Sequence, residues 1–476
     1  MCGIVGIYGK DTVAPSIFDG LVAIQHRGHD SAGIVTLDGS FHLKKGLGHV
    51  TDVFRGVDPA SLPGHAGLGH VRYATIGSNG EIDAQPMVVN YPFGLAMVHN
   101  GNVINFASLR RWLHDERHRL VDTDNDVSLI LYTLASELEQ RDLKHLEVSD
   151  VFDAVRATQD RVEGAYSAIC IIAGQGMLAF CDPHGIRPIV IGKKFSEHGI
   201  VYVFASESVV FDLLGCQRIR DLQPGEAVFV DRHHHLHSSV CRRKAQAFCV
   251  FEYIYFARED SVIHDRLVAT ERVRMGRRLA DTFRKTGIEP DIVIDVPSSS
   301  YFFASGLAEA LGVPYRRGLA KNNHVGRSFI TQNQTVRETM VRQKHNPIPD
   351  VVRGKKVAVV DDSIVRGTTS RHLVRLLRKA GAKEITFVSA SPPITHPCIY
   401  GIDMSVKREI IAAHYDIDQI RHYLEADAVV YQTLEDLKDL YRDLPCCYAC
   451  FSGEYPTGAS EEALRIIEEE KLKSKR

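Results

Sequence analysis

Apolar positions along this chain follow two different rhythms, and the change between them divides the sequence. In the first half, Gly3–Tyr8 is an apolar run that reads as a strand, and 67–75 and 93–100 read as two more. Amphipathic helices lie between and after them. Ile17, Leu21 and Ile24 share one helical face, and Val127, Ile130, Leu131, Leu134 and Leu138 recur at helical spacing on a clearer one. Further strands are expected at 167–172, 176–180, 201–205 and 227–230. Strands and helices in separate groups, without strict alternation, predict stacked layers with antiparallel sheets.

After the basic stretch Arg242-Arg243-Lys244 the rhythm changes. Segments 291–296 and 356–360 are buried-type strands, each followed by a loop and a helical pattern, which is the βαβ signature of a parallel sheet. Between them, 321–350 is polar, basic and aperiodic, as expected of a functional loop or lid. The expected division is 2–240 for a first domain, 250–457 for a second, and 458–476 for a charged helical tail.

The 476 residues carry a net charge of −2, so no global charge drives binding to nucleic acid or to an acidic membrane, and any anion site must be local. With no apolar run of membrane-spanning length and no secretory pattern at the N-terminus, a cytoplasmic protein is expected. In that setting ten cysteines point to catalysis, metal binding or burial, not to a disulfide framework.

The chemistry begins at the N-terminus. Removal of Met1 would leave Cys2 with a thiol and a free α-amine on one residue, a nucleophile with its own base suited to acyl transfer from an amide. Cysteine is also a small buried hydrophobe, so position 2 alone decides nothing.

In the second half, Asp361 and Asp362 end a buried strand, where open α/β sheets bind ligands. The loop of Ser363, Ile364, Val365, Arg366, Gly367, Thr368 and Thr369 then supplies hydroxyls, a permissive glycine and backbone amides ahead of a helix expected near Ser370. Adjacent acids beside a phosphate cradle suit a ribose phosphate, with Mg²⁺ bridging oxygens. A bare Asp-Asp pair could equally cap a strand. This stretch resembles the phosphoribosylpyrophosphate (PRPP) motif of phosphoribosyltransferases. The resemblance extends to Asp295-Val296-Pro297-Ser298-Ser299-Ser300 as the pyrophosphate loop, and to a lid in which Arg327, Arg337, Arg342 and Lys344 carry the charge to cover pyrophosphate. It implies PRPP binding by residues 361–369 and Arg327, and Mg²⁺ binding by Ser299, Asp361 and Asp362. The family commonly has aspartate where this chain has Ser298.

Four stretches accompany Cys2: 25–33 with Arg27, 69–75 with His70 and Arg72, His99-Asn100-Gly101-Asn102, and 122–126 with Asp124. Singly, His70 could be a core histidine, Arg27 half of a salt bridge, and 122–126 a helix cap. Together they resemble the glutaminase domain of class II amidotransferases, an N-terminal-nucleophile hydrolase with an αββα sandwich. The resemblance assigns the glutamine α-carboxylate and α-ammonium to Arg72 and Asp124, and the oxyanion to the Asn100 side chain and the Gly101 amide.

Cys447 and Cys450 form a CxxC pair, which alone could bind zinc, cycle redox equivalents or lie inert. With Cys249 and Cys398 in their local contexts, the pair resembles the iron–sulfur branch of the glutamine PRPP amidotransferases, in which four such thiolates hold a 4Fe-4S cluster. Many members of that branch carry a short propeptide; here removal of methionine is expected to suffice. Cys170, Cys181, Cys216 and Cys241 match no motif, and His233, His234, His235 and His237 are expected in a polar hairpin, with metal binding as the alternative.

The resemblance spans Cys2 to about Thr457 and implies an α/β and α+β architecture: the sandwich, then a phosphoribosyltransferase-type parallel sheet. It also implies ammonia release from glutamine, internal passage to PRPP, formation of 5-phosphoribosylamine in the first committed step of purine synthesis, a homotetramer, and feedback inhibition by purine nucleotides of the AMP and GMP class. A glucosamine-synthase-like enzyme would need a sugar-isomerase domain in place of the PRPP loop. A PRPP-sensing regulator would leave Cys2, Arg72 and Asn100 without purpose.

Overall fold

The computed structural model describes residues 1–73, 80–322, 345–404, 406–459 and 461–474. The lid residues Arg327, Arg337, Arg342 and Lys344, and the last residues of the strand expected at 67–75, lie outside them.

Two antiparallel sheets form the first half. Strands β1 (Gly3–Tyr8), β2 (Ser31–Asp38), β3 (Ser40–Leu47) and β4 (Ala66–Arg72) belong to one sheet, β5 (Met87–Val89), β6 (Leu95–Val103), β7 (Gly164–Ile172) and β8 (Gly176–Cys181) to the other. Strands β9 (Val190–Ser196), β10 (Gly199–Ala205) and β11 (Gln217–Asp221) complete the first sheet, in the order β11-β9-β10-β1-β4-β2-β3. Strands β12 (Glu226–Asp231) and β13 (Leu236–Val240) complete the second, in the order β13-β12-β8-β7-β6-β5. Ile4, Leu68, Val98 and Ile169 fill the space between the sheets. Helices Ala14–Ala23 and Val209–Leu214 cover the outer face of the first sheet, and Asp126–Leu138 and Val148–Arg161 that of the second. Strands buried on both faces are apolar without alternation, as all nine buried residues of β7 illustrate.

Local departures from the sequence reading have physical causes. The strand expected at 93–100 begins at Leu95 and runs to Val103, because Phe93 and Gly94 adopt positive φ of 61° and 89°. The helix starting at Asp126 is capped from within 122–126, as that reading allowed, by Asn125, whose side chain accepts the Val127 N–H. The histidine run makes the turn between β12 and β13.

The second half is a parallel sheet of Ile292–Asp295, Lys356–Asp361, Glu384–Ser389 and Ala428–Tyr431, in that order. Alternate residues serve opposite faces. Ala358 and Val360 pack on helices Val268–Arg284 and Tyr301–Leu311, while Val357 and Val359 pack on Thr368–Lys379 and Ile417–Leu424. Near the chain's end, Cys446–Cys447 pairs in parallel with Phe248–Cys249 and so returns to the junction between the halves. Among the described residues, no helix is long and apolar enough to cross a membrane.

Candidate active sites

Cys2 sits at the start of β1, and Asn100 is on β6 in the facing sheet. The Cys2 backbone N–H donates to Asn100 Oδ1 at 3.0 Å. The other end of that amide, Asn100 Nδ2, is buried with no hydrogen-bond partner. A buried amide donor left without a protein partner costs roughly 1–3 kcal/mol, which makes it a candidate donor to a substrate. Beside it Gly101 has φ of +150°, and a Cβ there would lie 1.9 Å from the Ala165 carbonyl, so only glycine fits. These are the ingredients of an oxyanion hole.

The surroundings of Cys2 are charged yet buried. Arg27 Nε donates to the Cys2 carbonyl at 3.0 Å, Arg27 Nη1 donates to Glu207 at 2.6 Å, and Arg27 also makes a bidentate pair with Glu252 at 2.9 and 3.0 Å. Burial opposes ionisation of Glu207, but His26 and Arg27 overcome it and hold the carboxyl far below its usual range. Arg27 is thus half of a salt bridge, as one reading of its motif allowed, and that salt bridge also grips Cys2. Its partners lie 180 and 225 residues away, with no local pattern to mark them. His70 is a core histidine: it is fully buried, neither ring nitrogen has a hydrogen bond, and burial lowers its pKa well below the usual value.

Arg72 ends β4, buried, on the strand that pairs with β1. Asp124 is more than half exposed and its carboxylate pairs with Arg110 at 3.2 Å. Deeper in, Asp126 accepts the Val103 N–H at 3.0 Å and lies 3.3 Å from His99 Nε2. Burial opposes its charge, but His99 and that N–H keep the carboxyl below its usual range. Neither His99 nor Asp126 stood out as a pair in the sequence.

In the second half Asp361 ends its strand, and the loop behind it enters a helix beginning at Thr368, two residues before the expected Ser370. Gly367 makes that entry possible, with φ of +72° at the N-cap. Its lack of a capping side chain leaves the first helical N–H groups to a ligand. Ser363 Oγ donates to Asp362 at 2.7 Å, Ser299 Oγ also donates to Asp362, and Ser300, the last residue of the expected pyrophosphate loop, donates to Asp361 at 3.3 Å. Burial, and for Asp361 the neighbouring Asp362 as well, pushes both carboxyls above their usual range. Two strained acids beside serine hydroxyls form a hard oxygen set that fits Mg²⁺. Ile364 is buried in the core, so only its backbone faces the loop, and the Arg366 guanidinium pairs with Glu409. A cavity of about 420 Å³ between the halves is lined by Asp361, Asp362, Gly367 and Thr368, and also by His26, Arg27 and Tyr73 from the Cys2 side.

Cys249, Cys398, Cys447 and Cys450 are buried in one apolar cluster at the junction, all with free thiols. Burial raises the pKa of Cys249 to about 11 and those of Cys447 and Cys450 higher, and each is pushed further by its neighbours in the set. A cationic group would relieve that cost. No three of the four sulfurs come within 4.8 Å of one another. A single tetrahedral zinc would draw them to about 3.8 Å, as Zn–S bonds of about 2.3 Å require. A wider sulfur set fits a cluster that presents a separate iron to each cysteine.

Residues 267–407 match a phosphoribosyl transferase domain and residues 70–212 a glutamine amidotransferase domain. The chain is 44% identical to the amidophosphoribosyltransferase of Pasteurella multocida over 96% of its own length and 93% of the relative's. It is 43% identical to that of Escherichia coli, covering 93% and 89%. Among solved structures it is similar to the glutamine PRPP amidotransferase of B. subtilis complexed with ADP and GMP, with a TM-score of 0.84, 37% identity and coverage of 96% and 97%.

Proposed function

This chain belongs to the amidophosphoribosyltransferases, and on that premise we propose how its residues divide the work. The reaction converts glutamine, PRPP and water into 5-phosphoribosylamine, glutamate and pyrophosphate, the first committed step of purine synthesis.

Residues 2–240 are the glutaminase unit, 250–457 the phosphoribosyltransferase unit, and 458–476 a helical tail. After loss of Met1, the Cys2 amine keeps its hydrogen bond to Asn100 Oδ1, which orients its lone pair to take the thiol proton. The thiolate attacks the glutamine amide carbon, and the proton leaves with ammonia. Water then hydrolyses the glutamyl thioester. Asn100 Nδ2 and the Gly101 N–H stabilise the oxyanion in both steps, while Arg72 and Asp124 hold the α-carboxylate and α-ammonium. The observation that carries this reading is the buried, unpaired Asn100 Nδ2 beside a position that only glycine can occupy.

Ammonia passes through the cavity shared by Arg27, Tyr73 and the phosphate loop, which keeps it from being protonated in bulk water. Residues 363–369 cradle the 5′-phosphate, Asp361 and Asp362 take the ribose hydroxyls, and Arg327 covers the pyrophosphate. Ammonia then displaces pyrophosphate at the anomeric carbon. Ser299, Asp361 and Asp362 would hold Mg²⁺, which when bound neutralises pyrophosphate charge. Cys249, Cys398, Cys447 and Cys450 would hold a 4Fe-4S cluster with a structural role, since no step needs an electron. Purine nucleotides of the AMP and GMP class, related to those bound by the B. subtilis relative, compete for the phosphate loop. The protein acts as a cytoplasmic homotetramer.

The test is incubation with amide-¹⁵N glutamine, PRPP, Mg²⁺ and excess unlabelled ammonium. Labelled phosphoribosylamine is expected; no pyrophosphate release sinks the reading. Iron and sulfide analysis of anaerobically purified protein tests the cluster, and a colourless zinc protein would overturn it. Light scattering tests the tetramer.

A further inference from the structure

The strand that carries the oxyanion site is held from the other half of the molecule. Asn102, two residues beyond Asn100 on β6, points its Nδ2 across the junction and donates to the Ile399 carbonyl at 2.9 Å, with both groups buried. Gly401 closes on the same strand. Its φ is +99°, and a Cβ at that position would lie 2.9 Å from the Gly101 carbonyl oxygen. The Gly101–Asn102 peptide, one along from the peptide that presents the Gly101 N–H, therefore lies close against a loop of the phosphoribosyltransferase half.

That loop is itself anchored. The Cys398 N–H donates to the Met404 carbonyl at 3.0 Å, and the Tyr400 N–H donates to Cys398 Sγ at 3.4 Å. Arg187, fully buried, donates through Nε to the Tyr400 carbonyl at 2.8 Å. Its own carbonyl accepts from Ser167 Oγ at 2.9 Å, and Ser167 pairs across β7 with Asn100. Arg187 Nη1 lies 3.7 Å from Glu252, whose carboxylate grips Arg27, which holds the Cys2 carbonyl. The loop Cys398–Gly401 thus reaches both sides of the amide site: Asn100 and Gly101 through β6, and Cys2 through Arg187, Glu252 and Arg27.

We propose that Asn102, Gly401 and Arg187 are positioning residues that set the oxyanion site of the first half from the loop behind Cys398, so that the two halves share one catalytic geometry. None of the three is among the residues assigned above to glutamine. They fix where the Asn100 amide and the Gly101 N–H point, and a donor moved by even about 1 Å loses a large part of its effect on a tetrahedral intermediate. The proposal rests on the assignment of Asn100 and Gly101 made above.

Asn102→Ala removes the cross-junction bond, and Gly401→Ala presses a methyl group on the Gly101 carbonyl. Three quantities are read for each: glutamine-dependent turnover, ammonia-dependent turnover with PRPP, and affinity for the γ-aldehyde analogue of glutamate beside affinity for glutamate itself. The aldehyde forms a tetrahedral adduct with Cys2 and needs the oxyanion site, whereas glutamate does not. The expected result is a roughly 10- to 100-fold loss of glutamine-dependent kcat with little change in KM, and a comparable loss of aldehyde affinity. Glutamate affinity and ammonia-dependent turnover stay within about two-fold of the parent. Unchanged aldehyde affinity in both variants overturns the proposal, as does a parallel loss of ammonia-dependent turnover, which would mark general structural damage. Cys2→Ala separates this from the premise: if it keeps glutamine-dependent turnover, the assignment of the amide site itself fails.

Discussion

At Cys2 the reacting groups are fixed by strands, whereas at Asp361 they are gathered on a loop. Asn100 and Gly101 lie in mid-strand, locked by the register that sets Asn100 against Ser167 and Gly101 against Tyr166. Their donors are already in place. Asp361 and Asp362 are held beside serine hydroxyls and an uncapped helix end, in a buried arrangement that raises both carboxyl pKa values. An amide carbonyl is neutral until it reacts, so its site has to be organised in advance. PRPP arrives with its own charge, so its site can be left electrostatically incomplete. One half stores its organisation in backbone packing, the other in unsatisfied charge.

The largest effect that could break this comparison is expected at Cys2. Cys2→Ala should reduce glutamine-dependent pyrophosphate release by at least about 10⁴-fold while leaving ammonia-dependent release nearly intact. Loss of both would mean that the halves cannot work separately. Asn100→Ala should cost about 10²–10³-fold in kcat with little effect on KM, the usual cost of one oxyanion donor. A mainly KM effect would instead place Asn100 on the substrate's ground state.

Asp362→Asn should lower glutamine- and ammonia-dependent turnover together, by about 10- to 100-fold, because both draw on one PRPP site. The companion Asp361→Asn sharpens the contrast through stability. A carboxyl raised in the folded state stabilises the fold while protonated, and this contribution is lost as pH rises through its folded value. The ligand-free Asn variant should therefore melt at a higher temperature than the parent at pH 7–8, with the gap closing toward pH 4. A variant that melts lower at neutral pH would show that Asp361 is already satisfied without ligand. The smallest effect is expected at Arg110, which pairs with the exposed Asp124. A surface pair is worth about 0–1 kcal/mol, so Arg110→Ala should free Asp124 and lower the glutamine KM by at most about five-fold. A higher KM would make Arg110 part of the site.

Much of this was legible where chemistry and local pattern coincide. The Val357 to Thr369 stretch combines a strand period, adjacent acids and a glycine within thirteen residues of sequence, and the structure assembles them as a strand, a turn and a helix start. The oxyanion assignment of Asn100 and Gly101 comes from the family resemblance of 99–102, not from local pattern. Contacts between distant segments left no such trace. Nothing near Arg27 signals Glu207 or Glu252, and nothing near Gly101 signals Gly401, because a close backbone approach is recorded only as a glycine at each end. Within 122–126 it is Asn125 that caps the helix, because its amide both accepts from Val127 and donates to the Asp83 carbonyl, a combination no carboxylate offers.

The parallel pairing of Phe248–Cys249 with Cys446–Cys447 has a consequence for how the molecule is made. About 200 residues separate the two partners, and a ribosome adding roughly 5–20 residues per second needs about 10–40 s to deliver the second after the first. Through that interval Cys249 and the apolar residues around it have no strand to pair with, so the junction is exposed in every nascent chain. A truncated or stalled product would carry an open hydrophobic seam, and quality-control factors could tell it from the finished protein by that seam alone.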